Sequence, residues 1–149
     1  DDGLAERIAD TFAQLRTEAL QLFPGAWETL HHFQQNRVPM ALLTNGASVG
    51  QRHKIDRFEL AGFFDCILIE QEFGVGKPDE RVFRHALDSL GHPSTHTWMV
   101  GDNLQWEIEP CRNLGMHTVW VDARREGLPA DTTIEPHRIV QNINELIEA

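Results

Sequence analysis

The chain has 149 residues, 41% of them hydrophobic, which is enough to bury one sizeable core and leaves little for a second full domain. Its 23 acidic and 13 basic side chains give a formal charge of -10, which repels phosphate backbones and anionic membranes and excludes nucleic-acid and membrane binding as expected functions. No apolar run or charged-then-apolar leader marks a membrane span or a signal peptide, and Cys66 and Cys111, far apart in apolar surroundings, fit free thiols of a cytoplasmic protein.

Leu4, Ile8, Phe12, Leu15 and Ala19 recur at spacings of three and four, which predicts an amphipathic helix over about 4–20, ended by Phe23-Pro24-Gly25. A second helix is predicted from Ala26 to Gln35, with Trp27, Leu30 and Phe33 on its inner side. From there the chain alternates. Met40 to Leu43 forms a continuous apolar run that stops at Thr44-Asn45-Gly46, the pattern of a buried strand ending in a turn. A helix carrying Ile55, Phe58 and Leu60 follows, then a strand at Cys66–Ile69, a loop with Gly74 and Gly76, and a helix whose Val82, Phe83, Ala86, Leu87 and Leu90 share a face closed by Gly91. Further strands are expected at Trp98–Val100 and Thr118–Val121, with a short helix from Ile108 to Leu114 between them and a terminal helix from Asn142 to Ile147. Pro110 sits awkwardly inside that short helix. Short apolar strands alternating with helices of about ten residues imply an α/β fold, a parallel sheet with helices on both faces.

Ligands of such sheets bind beyond the carboxyl ends of the strands, so the residues just after each strand carry the chemistry. Thr44, Asn45 and Gly46 could hold phosphate oxygens through a hydroxyl and successive N–H groups, although Asn-Gly is also a common turn dipeptide. Lys77, followed by Pro78 at the expected first turn of the next helix, could neutralise an anion there; a lone lysine at that place is more often solvated. Asp102 and Glu107, just past a buried strand, could share a hard cation, and Asp102 could equally cap the next helix. The adjacent pair His31 and His32, and the pair His92 and His96 split by Pro93, make no obvious zinc chelate. Trp106 is expected to pack beneath its loop, and Arg124 and Arg125 to be solvated.

Together, Leu42-Leu43-Thr44-Asn45-Gly46, Gly76-Lys77-Pro78 and Val100-Gly101-Asp102 with Glu107 resemble motifs two, three and four of the haloacid dehalogenase superfamily. The resemblance covers the chain from about Phe23 onward, and Gly-Asp-Asn at 101–103 resembles the phosphatase branch with a small helical cap. It implies a Rossmann-like core over 23–149 and, over 1–22, the remnant of the cap. It further implies a Mg2+-dependent phosphomonoesterase acting on a small phosphorylated metabolite. Thr44, Asn45 and Gly46 would then bind the phosphoryl group, Lys77 would position it, and Asp102 would ligate Mg2+ assisted by Glu107. The family's nucleophile is the first aspartate of an Asp-x-Asp motif on a strand between those ending at Thr44 and Asp102, and no such motif occurs here. The expectation is therefore a part of a longer phosphatase, with a slot in its sheet and no turnover by itself. A phosphomutase or dehalogenase of the same superfamily, and a catalytically dead binding module, are the alternatives; oligomeric state is left open.

Overall fold

The computed structural model describes residues 19–147 together with Gly3, Leu4, Arg7, Ile8 and Thr11. Leu4 and Ile8 have helical backbone and are exposed, while Phe12 and Leu15 of the expected stripe, like most of the segment 1–22, lie outside the described residues. Helix α1 spans Ala26–Gln35 as its periodicity predicts, and its Thr29, buried at the base, satisfies its hydroxyl on the Gly25 carbonyl at 2.8 Å. Strand β1 follows at Ala41–Thr44, so Thr44 is the last strand residue rather than the first of the turn. Helix α2 (Ser48–Arg57) and a 3₁₀ turn (Leu60–Phe63) lead to β2, Cys66–Ile69, which matches its expected bounds. An unanticipated short helix, α3 (Glu70–Phe73), then opens directly on the end of β2.

Helix α4, Glu80–Leu90, begins after Asp79, whose carboxylate accepts the Arg81 N–H at 3.0 Å, and ends at Gly91 with φ 68°. Pro78 therefore precedes the cap instead of occupying the first turn. Val82, Phe83 and Ala86 supply the helix's buried face. Strand β3 (Trp98–Gly101) runs into a π-turn, Leu104–Ile108, and only then into α5, Glu109–Asn113. That division resolves Pro110, which falls in the first turn of α5, where a missing N–H costs no helical bond. Strand β4 is His117–Val121; β5, Arg138–Val140, was not foreseen; and the expected terminal helix is a 3₁₀ turn, Ile143–Leu146, held by an Asn142–Glu145 capping box.

The sheet is parallel throughout but divided. β1 pairs with β2, Thr44 opposite Ile69, and β3, β4 and β5 form a second sheet in that order. β4 lies at its centre with Thr118, Val119 and Trp120 all buried, as a strand covered on both faces requires. Between β1 and β3 lies a cleft of about 610 Å3, lined by Ala41 and Leu43 from one strand, Met99 and Val100 from the other, and Phe83 and Leu87 of α4. The two halves meet through side chains: Leu43 packs on the core cluster of Phe83, Met99, Cys111 and Met116. No helix among the described residues is long and apolar enough to cross a membrane.

Burial at 0% exposure pushes the Cys111 thiol up to about 12, with the Glu107 carboxylate adding to the shift, whereas Cys66 is only half-buried. In the native chain Ellman's reagent at pH 8 should therefore modify Cys66 well before Cys111, both reacting together once urea is added. Equal native rates would contradict the packing described.

Candidate active site

Three loops meet at the carboxyl rim of the strands, and the contacts that join them can be followed atom by atom. The turn after β1 is left-handed at Gly46, φ 116°, a conformation that glycine adopts without strain. Asn45 does not point outward from this turn. Its Nδ2 donates to the Lys77 carbonyl at 2.7 Å and its Oδ1 accepts the Lys77 N–H at 2.8 Å. Gly46 N–H is likewise engaged, donating to Glu70 Oε2 at 2.7 Å, and Ser48 N–H donates to Gln71 Oε1 at 2.7 Å. Of the three groups expected to meet phosphate here, Thr44 is the one whose side chain forms no hydrogen bond among the described residues.

Lys77 is partly buried rather than solvated, with its side chain 11% exposed, and its ammonium is paired with Glu107 Oε1, whose side chain is 9% exposed. The other Glu107 oxygen accepts the Asn103 N–H at 3.0 Å. Both carboxylate oxygens of Glu107 are thus committed, one to a cation from the loop before α4 and one to the loop after β3. Gly101 makes room for this arrangement, since a Cβ there would overlap the Glu107 carboxylate. Removing a buried partner leaves an uncompensated charge, which is the costly case for an ion pair.

Asp102 sits at the end of β3, exposed, with its carbonyl accepting the Trp120 Nε1–H at 2.9 Å and its carboxylate unengaged among the described residues. Asn103, not Asp102, caps the following turn, accepting the Trp106 N–H at 2.8 Å. Thr44, Lys77 and Asp102 are thereby drawn to one rim by the sequence of contacts Asn45–Lys77–Glu107–Asn103. For a hard divalent cation the free Asp102 carboxylate fits, because Mg2+ retains waters and takes few protein oxygens. Glu107 fits better as the partner of Lys77 than as a direct ligand, and no group of three or more metal-ligating side chains occurs among the described residues. Trp106 is 52% exposed beside this loop, so it does not pack beneath it, and Arg124 and Arg125 are exposed.

Two carboxylates at strand ends escaped notice in the sequence. Glu70, immediately after β2, binds the Gly46 turn, and the strand-end rule applied to Ile69-Glu70 would have found it. Asp122, after β4, is buried and accepts N–H groups of Glu126 at 3.0 Å and Gly127 at 2.8 Å, which folds the loop there.

The family model of haloacid dehalogenase-like hydrolases matches residues 2–121. Phosphoserine phosphatase of Thermus thermophilus is 37% identical over 146 residues, covering 97% of this chain and 57% of that protein. The pyrimidine 5'-nucleotidase YjjG of Escherichia coli is 30% identical over 141 residues, covering 94% of this chain and 61% of that protein. The chain thus spans about three fifths of the length of these curated relatives. Among solved structures, the HAD-hydrolase YfnB of Bacillus subtilis, bound to magnesium, superposes with a TM-score of 0.79 at 25% identity over 89% of this chain and 57% of its own. The order of motifs, the parallel α/β architecture and the match over residues 2–121 agree: the chain belongs to the haloacid dehalogenase-like hydrolase family.

Proposed function

We propose that this chain provides the phosphate- and cation-handling part of a Mg2+-dependent phosphomonoesterase acting on a small phosphorylated metabolite. The observation that supports this is the junction of Asn45, Lys77, Glu107 and Asn103, which ties together the loops next to Thr44 and Asp102 and holds the largely enclosed Lys77 ammonium between them. Relatives named for phosphoserine, pyrimidine nucleotide and glyceraldehyde 3-phosphate share only the phosphate monoester, and the groups at this rim suit that shared portion.

In this mechanism Thr44 donates its hydroxyl hydrogen to a phosphoryl oxygen, and Lys77, anchored by Glu107, stabilises the charge that develops during transfer. Asp102 would hold the Mg2+ ion, which when bound supplies further neutralisation of the phosphoryl oxygens. The attacking group is an aspartate carboxylate from a segment outside these 149 residues. It forms a bond to phosphorus as the phosphorus–ester oxygen bond breaks, the departing oxygen taking a proton from the second aspartate of the same segment; water then attacks phosphorus, returns a proton to that aspartate, and breaks the bond between phosphorus and the first carboxylate, so that phosphate leaves and both aspartates are restored. The cleft between β1 and β3 supports that assignment, because it is mostly apolar, is lined by β1 and β3, which pair with each other nowhere among the described residues, and has Lys77 and Glu107 in its lining. A parallel strand there would deliver its last residues to the rim.

The test compares two proteins with Mg2+ and an aryl phosphate: the longer polypeptide containing this sequence, and residues 1–149 alone. The longer one should turn over and the shorter should not. Lys77→Ala in the longer protein should lower kcat/KM by about 10²- to 10³-fold, and Asp102→Ala should raise the Mg2+ concentration needed for half-maximal rate. Turnover by residues 1–149 that disappears in Lys77→Ala would refute the missing nucleophile, and an inactive longer protein would refute the phosphatase. In urea unfolding, Glu107→Ala should cost about 3–5 kcal/mol, and Lys77→Met with Glu107→Leu should cost less than either single change. A single-variant cost within the range of exposed ion pairs would show that the pair is solvated.

A further inference from the structure

The turn after β1 is held from both sides by side chains that bind backbone groups. On one side the Asn45 amide spans both backbone polar groups of Lys77, donating at 2.7 Å and accepting at 2.8 Å. On the other side Glu70 accepts the Gly46 N–H at 2.7 Å, and the next residue, Gln71, accepts the Ser48 N–H at 2.7 Å and returns its own N–H to the Gly46 carbonyl at 3.3 Å. Gly76 lies where the two sides meet. A Cβ there would fall 2.6 Å from Asn45 Oδ1 and 2.7 Å from Glu70 Cδ, so only glycine lets the Lys77 loop approach both residues.

An ordinary turn needs none of this. A two-residue turn closes with its own backbone bonds, whereas here a side chain of the turn itself fixes Lys77 and a side chain at the start of helix α3 fixes Gly46. Lys77 is consequently tethered at both ends, its main chain by Asn45 and its ammonium by Glu107. A lysine side chain normally has wide rotamer freedom; one fixed at root and tip delivers its charge to a single place.

We propose that Asn45 and Glu70 are positioning residues of the phosphoryl site, Asn45 acting through Lys77 and Glu70 through the Gly46 turn that follows Thr44. The assignment rests on the phosphatase function proposed above and adds two residues to it. Because both act by placing other groups, their loss should lower the rate of the chemical step more than the affinity for substrate.

In the longer protein, Asn45→Ala should lower kcat on an aryl phosphate by about 10- to 100-fold with KM changed less than about threefold. Glu70→Ala should act in the same sense, and Glu70→Gln, which keeps an acceptor for the Gly46 N–H, should recover at least half of the lost kcat. A rise in KM alone would overturn the proposal by making these residues substrate contacts; unchanged kinetics would overturn it by making them structural. Should Asn45→Ala fold poorly, Asn45→Asp preserves its shape and its acceptor but removes the donor to the Lys77 carbonyl, and the same kcat loss is expected. Hydrogen exchange on residues 1–149 tests the clasp without catalysis: the Lys77 amide should exchange faster in Asn45→Ala and the Gly46 amide faster in Glu70→Ala. Unchanged exchange sinks the clasp even if the enzyme is active; faster exchange in a protein without phosphatase activity sinks the phosphatase function instead.

Discussion

The Lys77–Glu107 ion pair is the contact on which the arrangement of the site depends. It joins a loop of the β1–β2 half to a loop of the β3–β4–β5 half, across a boundary where no strand of one sheet bonds to a strand of the other. Both side chains are largely withdrawn from water, so the pair has lost hydration that only close mutual contact and additional hydrogen bonds can offset. The additional bond is present, from the Asn103 N–H to the second Glu107 oxygen. An ion pair under that constraint has little latitude in geometry, and it transmits its geometry to Asp102 on one side and, through Asn45, to Thr44 on the other.

Two glycines owe their identity to this crowding rather than to unusual backbone angles. Gly101 faces the Glu107 carboxylate and Gly76 faces Asn45 and Glu70, and in each case a single methyl group would collide with a group that holds the site together. Gly46 is different, since its φ of 116° is itself the requirement. The glycines beside Thr44, Lys77 and Asp102 thus serve two physical purposes, close approach and turn conformation, although in sequence all three read alike.

Elements whose signal is local were legible before the structure. Helix α1 and strand β2 match their expected bounds, and helix α4 its expected end at Gly91, because periodicity, a bounded apolar run and a glycine cap each lie within the segment concerned. Strand β5 was missed because three residues, only one of them buried, carry no period of their own and become a strand only by pairing with β4. The π-turn at Leu104–Ile108 was missed for a related reason: its shape is imposed by the need to bring Glu107 back to Lys77, a contact between residues thirty positions apart. The chemistry of the site followed the same rule. Residue types at strand ends pointed to Thr44, Lys77 and Asp102, but which of the neighbouring polar groups face inward and bind one another was set by tertiary contacts.

The division of the sheet poses an energetic question that the helices answer only in part. Among the described residues the facing edges of β1 and β3 have no ladder partners, and they border an apolar cleft of about 610 Å3, far larger than the one-water voids found in closed interiors. Empty, such a space forfeits dispersion contacts along its walls; filled with water, it wets Leu43, Met99 and Phe83, which elsewhere form the core. Packing of Leu43 on the Phe83 cluster and the ion pair at the rim hold the walls in place, yet neither satisfies the strand edges. A single extended segment with small or branched apolar side chains would do both, pairing two edges at once and completing one continuous parallel sheet. Lys77 and Glu107 also line this cleft, so a strand placed there for the sake of the sheet would run beside the ion pair.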